Sequence, residues 1–190
     1  MANGADRRLF WGTAVAVVVA DIITKLLAEG MLARRLPVNV VGEWIRLRLV
    51  YNEGAAFGLH LGEHSRWIFF GLAVLALIVL GSMVRSTKPG DRPRLLALAL
   101  VCGGATGNLV DRIRSPAGVV DFIDVGVNAW RWPTFNVADS AISLAILLLI
   151  VIAIRPSLAD GPPAVRRSSV TEPRPAAESG PTAAGHEGDV

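Results

Sequence analysis

Residues 67–84 read WIFFGLAVLALIVLGSMV, a stretch with no Asp, Glu, Lys, Arg or His. Wound as a helix, it is about long enough to cross the ~30 Å hydrocarbon core of a bilayer. Three more apolar stretches flank it: Leu9 to Ala28, interrupted by Asp21 and Lys25; Leu95 to Val110; and Val137 to Ile154, with Asp139 near its start. They predict a mainly α membrane protein with four transmembrane helices, at about 9–28, 67–84, 95–112 and 137–154, in one domain covering residues 1–155. Composition agrees. Of 190 residues, 52% are hydrophobic and 18% charged, against about 25% charged in an ordinary soluble chain. The mean hydropathy is +0.48.

The first stretch has a competing reading. Arg7 and Arg8, the apolar core Leu9 to Ala20, and Val18-Val19-Ala20 before Asp21 have the form of a cleavable signal peptide. The apolar face resumes at Ile22, Ile23, Leu26 and Leu27, which favours a retained helix. Four spans put both termini on one side. Arg85, Lys88, Arg92 and Arg94 crowd the short link between the second and third spans, so the termini are expected in the cytoplasm.

The link from Glu29 to Arg66 is too long for a tight turn, and in it Ile45, Leu47, Leu49 and Tyr51 alternate with Arg46, Arg48 and Val50. This period of two predicts a strand with one face on an apolar surface, and Val119 to Val125 reads as a second. Trp11, Trp67, Trp130 and Trp132 fall at the expected span ends, where indole rings prefer to sit, and Trp44 lies in the strand-bearing link. From Pro156 onward the chain holds six of its eleven prolines and no aromatic residue. Residues 156–190 are therefore expected to be a disordered cytoplasmic tail.

Several chemistries are excluded. One cysteine, Cys102, allows no disulfide framework and no Cys-based zinc site, and a net charge of +3 is too small and dispersed for nucleic acid binding. No Ser–His or Cys–His arrangement is available, since His60 and His64 lie in a loop beside Glu63 and His186 is in the tail. No metal or cofactor is expected.

Ionisable groups inside spans are costly and need a reason. Asp21 and Lys25 are four apart on one helical face, in the order that suits an intrahelical pair, and the structural reading outweighs the catalytic one. In GGATGNLVDR, Gly103 and Gly107 have the spacing that lets helices approach; Asn108 and Arg112, four apart, can both face the bundle interior, the other reading being an interfacial, snorkelling Arg112. Asp121 and Asp139 bracket the following loop, far enough apart for a strand to return both to one depth. Asp139 also suits a helix N-terminus, and spacing alone does not say whether Asp124 joins either. Two close carboxylates can share a proton, one activating water and the other polarising a carbonyl, so the pair suggests amide hydrolysis.

Five blocks, DIITK (Asp21 to Lys25), NEGAAFG (Asn52 to Gly58), GGATGNLVDRI (Gly103 to Ile113), VVDFID (Val119 to Asp124) and FNVADS (Phe135 to Ser140), together resemble the bacterial lipoprotein signal peptidase family, signal peptidase II. The resemblance implies an intramembrane aspartyl endopeptidase with a small extracytoplasmic β-cradle and a loop or short helix over the site. It implies cleavage of signal peptides from prolipoproteins, just before a cysteine carrying a diacylglyceryl group. Asp121 and Asp139 would be catalytic; Asn52, Asn108, Arg112 and Asn136 would hold substrate; Asp21, Lys25, Gly54 and Asp111 would support them. Inhibition by a globomycin-type cyclic peptide is also implied. The expected setting is the bacterial cytoplasmic membrane, with the site at its outer face and a monomer among membrane lipids. The competing class is a small transporter or proton-relay protein, which needs carboxylates through the membrane depth and usually repeated halves. A lipid-binding scaffold without chemistry is a third reading. Cys102 reads as an inert core thiol.

Overall fold

The structure, a computed structural model, describes residues 3–54, 62 and 64–155. The expected tail lies outside them, as do residues 55–61 and 63 of the link between the first two apolar stretches. Four helices carry the four apolar stretches: α1 (Gly4–Leu32), α2 (Ser65–Ser86), α3 (Arg92–Arg114) and α4 (Val137–Ile154). Their starts follow from local chemistry. Asn3 caps α1 by accepting from the Asp6 N–H at 2.7 Å, and Asp91 caps α3 by accepting from the Arg94 N–H at 3.2 Å, with Pro93 in the first turn. Of the helices, α2, α3 and α4 are long and apolar enough to cross a membrane. α1 is longer still, at 29 residues, and is the one interrupted by Asp21 and Lys25.

α3 sits at the centre and touches the other three helices. Glycines make the close approach possible. A methyl at Gly103 would lie 2.9 Å from the Ala14 carbonyl oxygen and from Val17 Cβ, and one at Gly107 would collide with the Asp21 carboxylate. Gly104, which the sequence reading did not single out, closes the other side against Ala138 and Ile142 of α4. The core of the bundle is small, with Phe10, Ala14, Val84, Leu95, Leu98 and Ala99. The outward faces are the more apolar ones: Val15, Ile23, Leu75, Ile78, Leu144 and Leu147 are all exposed. In water that arrangement would be unstable, whereas lipid tails accept it.

One end of the bundle carries an antiparallel sheet in the order β1 (Val38–Val41), β2 (Ile45–Asn52), β3 (Val119–Val127) and β4 (Trp130–Arg131). β1 and β4 were not anticipated; strands of four and two residues are too short to display alternation. Leu47 and Leu49 of β2 pack toward Ala28, Leu32 and Phe122, which fastens the sheet to the end of α1. In the β2–β3 register Val50 stands opposite Asp121 and Arg46 opposite Asp124, with an irregularity between the two pairs. Gly118, just before β3, sits at φ +97°, where any Cβ would collide with the Asn52 carbonyl, so glycine is what lets β3 begin against the end of β2. At the opposite end, the Gly90 N–H of the α2–α3 turn donates to Asp6 at 3.0 Å and ties down the start of α1. All five tryptophans are exposed rather than in a core.

Candidate active site

α4 begins with a reciprocal cap. Asn136 is extended (φ −130°, ψ −174°) and its Oδ1 accepts from the Asp139 N–H at 2.9 Å, while Asp139 Oδ2 accepts from the Asn136 N–H at 3.3 Å. The helix-start reading of Asp139 is therefore correct and incomplete. Its other oxygen, Oδ1, accepts from Asn108 Nδ2 of α3 at 2.8 Å. Asp121 arrives from β3. The segment before α4 is held against that strand by hydrogen bonds from the Phe122 and Ile123 N–H groups to the Phe135 carbonyl, so Asn136 comes beside Asp121. Asn136 Nδ2 donates to Asp121 Oδ1 at 2.7 Å, and Asn52 Nδ2 donates to Oδ2 at 3.2 Å. One residue thus grips both carboxylates, Asp121 through its side chain and Asp139 through its backbone.

Asp121 is buried, and burial raises its pKa to about 7, with the neighbouring Asp139 charge adding to the rise. The amide hydrogen bonds from Asn52 and Asn136 oppose it without cancelling it. A carboxyl here can hold its proton near neutrality.

Behind the pair lies a buried ionic cluster. Lys25 Nζ forms ion pairs with Asp21 Oδ2 at 2.7 Å and Asp111 Oδ2 at 2.8 Å, and donates to Asn108 Oδ1 at 2.9 Å. The Asp21–Lys25 pair is an i, i+4 ion pair as expected, and it reaches further than expected. Asp21 Oδ1 accepts from the Ala138 N–H of α4 at 2.9 Å, and Asp111 Oδ2 accepts from the Val120 N–H of β3 at 3.2 Å. The cluster therefore joins α1, α3, α4 and β3 around the two aspartates. Arg114 Nε donates to the remaining oxygen of Asp111, Oδ1, at 2.8 Å, so two cations face the two buried carboxylates and both Oδ1 atoms have a donor.

In front of the pair opens a cavity of about 1040 Å³, whose walls include Asn52, Gly54, Asn108, Arg112, Asp121 and Asp139. Arg112 donates to the Asn108 and Gly54 carbonyls at 3.1 Å each, so it is a wall of this cavity rather than a cation reaching for the interface. Asn136, expected among the residues that hold substrate, is fully buried behind the carboxylates and is not part of the cavity wall. Asp21, Lys25 and Asp111 also stay behind it.

Asp124, which spacing left open, belongs to a different device. It accepts from Arg46 Nη2 at 2.9 Å and from Arg131 Nε at 2.8 Å, joining β2, β3 and the short β4. Burial alone would raise its pKa, but the two arginines outweigh that and hold it below the usual carboxylate range. Sequence reasoning missed this clamp, and it missed Arg66, whose Nε donates to the Arg112 carbonyl at 2.7 Å. The alternation of Arg46 and Arg48 with leucines was the available signal for the first; for Arg66 there was none. Among the described residues no group of three or more His, Cys, Asp or Glu side chains is arranged to hold a metal ion.

Comparison with known proteins bears on the same residues. The family model described as signal peptidase (SPase) II matches residues 13–155. The chain is 37% identical over 146 residues to the lipoprotein signal peptidase of Paraburkholderia phytofirmans, covering 76% of this chain and 83% of that one. It is 35% identical over 140 residues to that of Francisella tularensis subsp. novicida, covering 72% and 86% respectively. A solved bacterial membrane enzyme, determined by the in meso method at 2.3 Å resolution, superposes with a TM-score of 0.67 at 28% identity, over 76% of this chain and 87% of that one.

Proposed function

From the premise that the chain belongs to the signal peptidase II family of proteases, we propose that Asp121 and Asp139 are its catalytic pair. The protein cuts signal peptides from prolipoproteins just before a diacylglyceryl-modified cysteine. The observation that carries the assignment is the shared grip of Asn136 on two carboxylates that face one cavity. Family membership leaves the transporter and scaffold readings without support.

In the proposed reaction Asp121 carries the proton of the pair, as its pKa of about 7 favours. Asp139, which accepts hydrogen bonds from the Asn108 amide and the Asn136 N–H, takes a proton from water as that water attacks the scissile carbonyl carbon. Asp121 gives its proton to the carbonyl oxygen. The tetrahedral intermediate collapses when Asp121 takes that proton back and Asp139 delivers its own to the leaving amine. The signal peptide leaves with a new carboxyl terminus, and the lipidated cysteine becomes an amino terminus.

Asn52, Asn108 and Arg112 face the cavity and hold substrate backbone there; Asn136 and the Lys25 cluster hold the aspartates. A globomycin-type cyclic peptide would compete for the same space. α1 to α4 cross the bilayer with both termini in the cytoplasm, and the sheet end, with the site, faces outward. The basic residues of the α2–α3 link support that orientation. Purified protein incubated with diacylglyceryl-modified and unmodified prolipoprotein should cleave the modified form far faster, because the acyl chains contribute roughly 0.8 kcal/mol per buried methylene to docking. Equal rates on the two would contradict the proposal.

A further inference from the structure

The cavity has two arms of different chemistry. Along α4 its walls are Ile142, Ser143 and Ile146; over the sheet they include Arg48, Arg131 and Trp132. The arginines around the sheet arm differ in how they are matched. Arg131 and Arg46 are both paired with Asp124, and Arg112 donates to two backbone carbonyls. Arg48 is exposed, forms part of the cavity wall, and has no ion-pair or hydrogen-bond partner among the described residues. It lies on β2, two residues from Val50, whose strand partner is Asp121. Two residues of strand span roughly 7 Å, so the guanidinium stands within a side chain's reach of the dyad.

We infer that Arg48 selects for an acidic side chain in the first residues of substrate after the lipidated cysteine. The inference rests on the assignment of Asp121 and Asp139 as the cutting pair. The acyl chains and the signal peptide are apolar and belong with the α4 arm, in the bilayer. The rest of the substrate must leave toward water, and the way out is over the sheet arm. An extended chain laid there passes Arg48 within two or three residues of the cut. An unmatched guanidinium prefers a carboxylate and repels a lysine. The phosphate of a neighbouring lipid offers similar chemistry, but a lipid contact would not depend on the sequence of the substrate.

The test compares kcat/KM of the full-length protein on diacylglyceryl-modified peptides that carry Asp, Ala or Lys at the first and second positions after the cysteine. An exposed ion pair predicts that Asp exceeds Lys by roughly two- to fivefold at low ionic strength. The preference should shrink as salt is added. Arg48→Gln should bring the ratio to about one, and Arg48→Glu should reverse it. A native protein indifferent to Asp against Lys would overturn the inference while leaving the dyad intact. So would an Arg48→Gln variant that keeps the preference, or one that loses activity equally on every peptide, the last being the signature of a lipid or structural role. Failure of the native protein to cut any lipidated peptide would overturn the dyad reading and this inference together.

Discussion

An asparagine amide can turn its oxygen or its nitrogen toward a carboxylate, and only the nitrogen attracts it. Each of the three asparagines at this site has its oxygen claimed by a group that can only donate: Asn52 by the Gly54 N–H, Asn108 by the Lys25 ammonium, Asn136 by the Asp139 N–H. The NH2 groups are thereby left for Asp121 and Asp139. Lys25, buried directly behind the cavity wall, sets the polarity of a contact at the reacting pair. The raised pKa of Asp121 fixes a sign. Folding favours its protonated form, so the stability it contributes is present below about pH 4 and is lost as the pH rises through about 7. Activity that needs that proton should fall on the same limb, with kcat/KM declining above about pH 7. In Asp139→Asn the neighbouring charge is gone, and the Asp121 carboxyl band followed by infrared titration should move to lower pH. An unmoved titration would mean that the two carboxyls do not interact. The residue types of the site could be read from the sequence, because an aspartate in or beside an apolar span has few bland explanations. The direction of each amide could not, since Lys25 and Asn108 are 83 positions apart.

At the scale of elements, the site is the meeting of a helix start, a strand and the far end of a central helix. α4 supplies Asp139 because its capping box needs a side chain there, and β3 supplies Asp121 because Gly118 lets the strand begin tight against Asn52. The Asp124 clamp secures the sheet that carries Asp121. Asp124→Asn leaves Arg46 and Arg131 without their shared anion in a buried position, and should cost about 1–3 kcal/mol. The expected readout is a lower thermal midpoint in detergent with much of the turnover kept at low temperature. Loss of turnover without loss of stability would move Asp124 into the chemistry. The long helices and the two longer strands were legible because hydrophobic periodicity accumulates over their length. β1 and β4 were not, being held by pairing rather than by pattern, and Gly104 was missed because its partner, Ala138, lies on a helix 34 positions on.

At the scale of the molecule, apolar side chains face outward on the helices, the sheet closes one end, and the basic α2–α3 turn closes the other. The proposed four-span arrangement predicts that the two ends face different compartments. Single cysteines at Lys88 and Trp130, in a Cys102→Ala background, should react with a membrane-impermeant reagent from opposite sides of the membrane, with position 130 accessible in intact cells. Labelling of both from one side would refute the four-span arrangement. Apolar runs made the four helices readable, whereas the shape of the cavity depends on how α3, α4 and the sheet converge. The most direct measurement of the whole account is the turnover of lipidated prolipoprotein by Asp121→Asn, Asp139→Asn and the double variant, each shown to be folded and inserted. Acid–base groups contribute about 10²–10⁴-fold, and members of one catalytic unit are lost non-additively. All three variants should fall by that order to a common low rate. Near-native turnover in either single variant, or a double variant slower by the product of the two single losses, would contradict a proton-sharing pair.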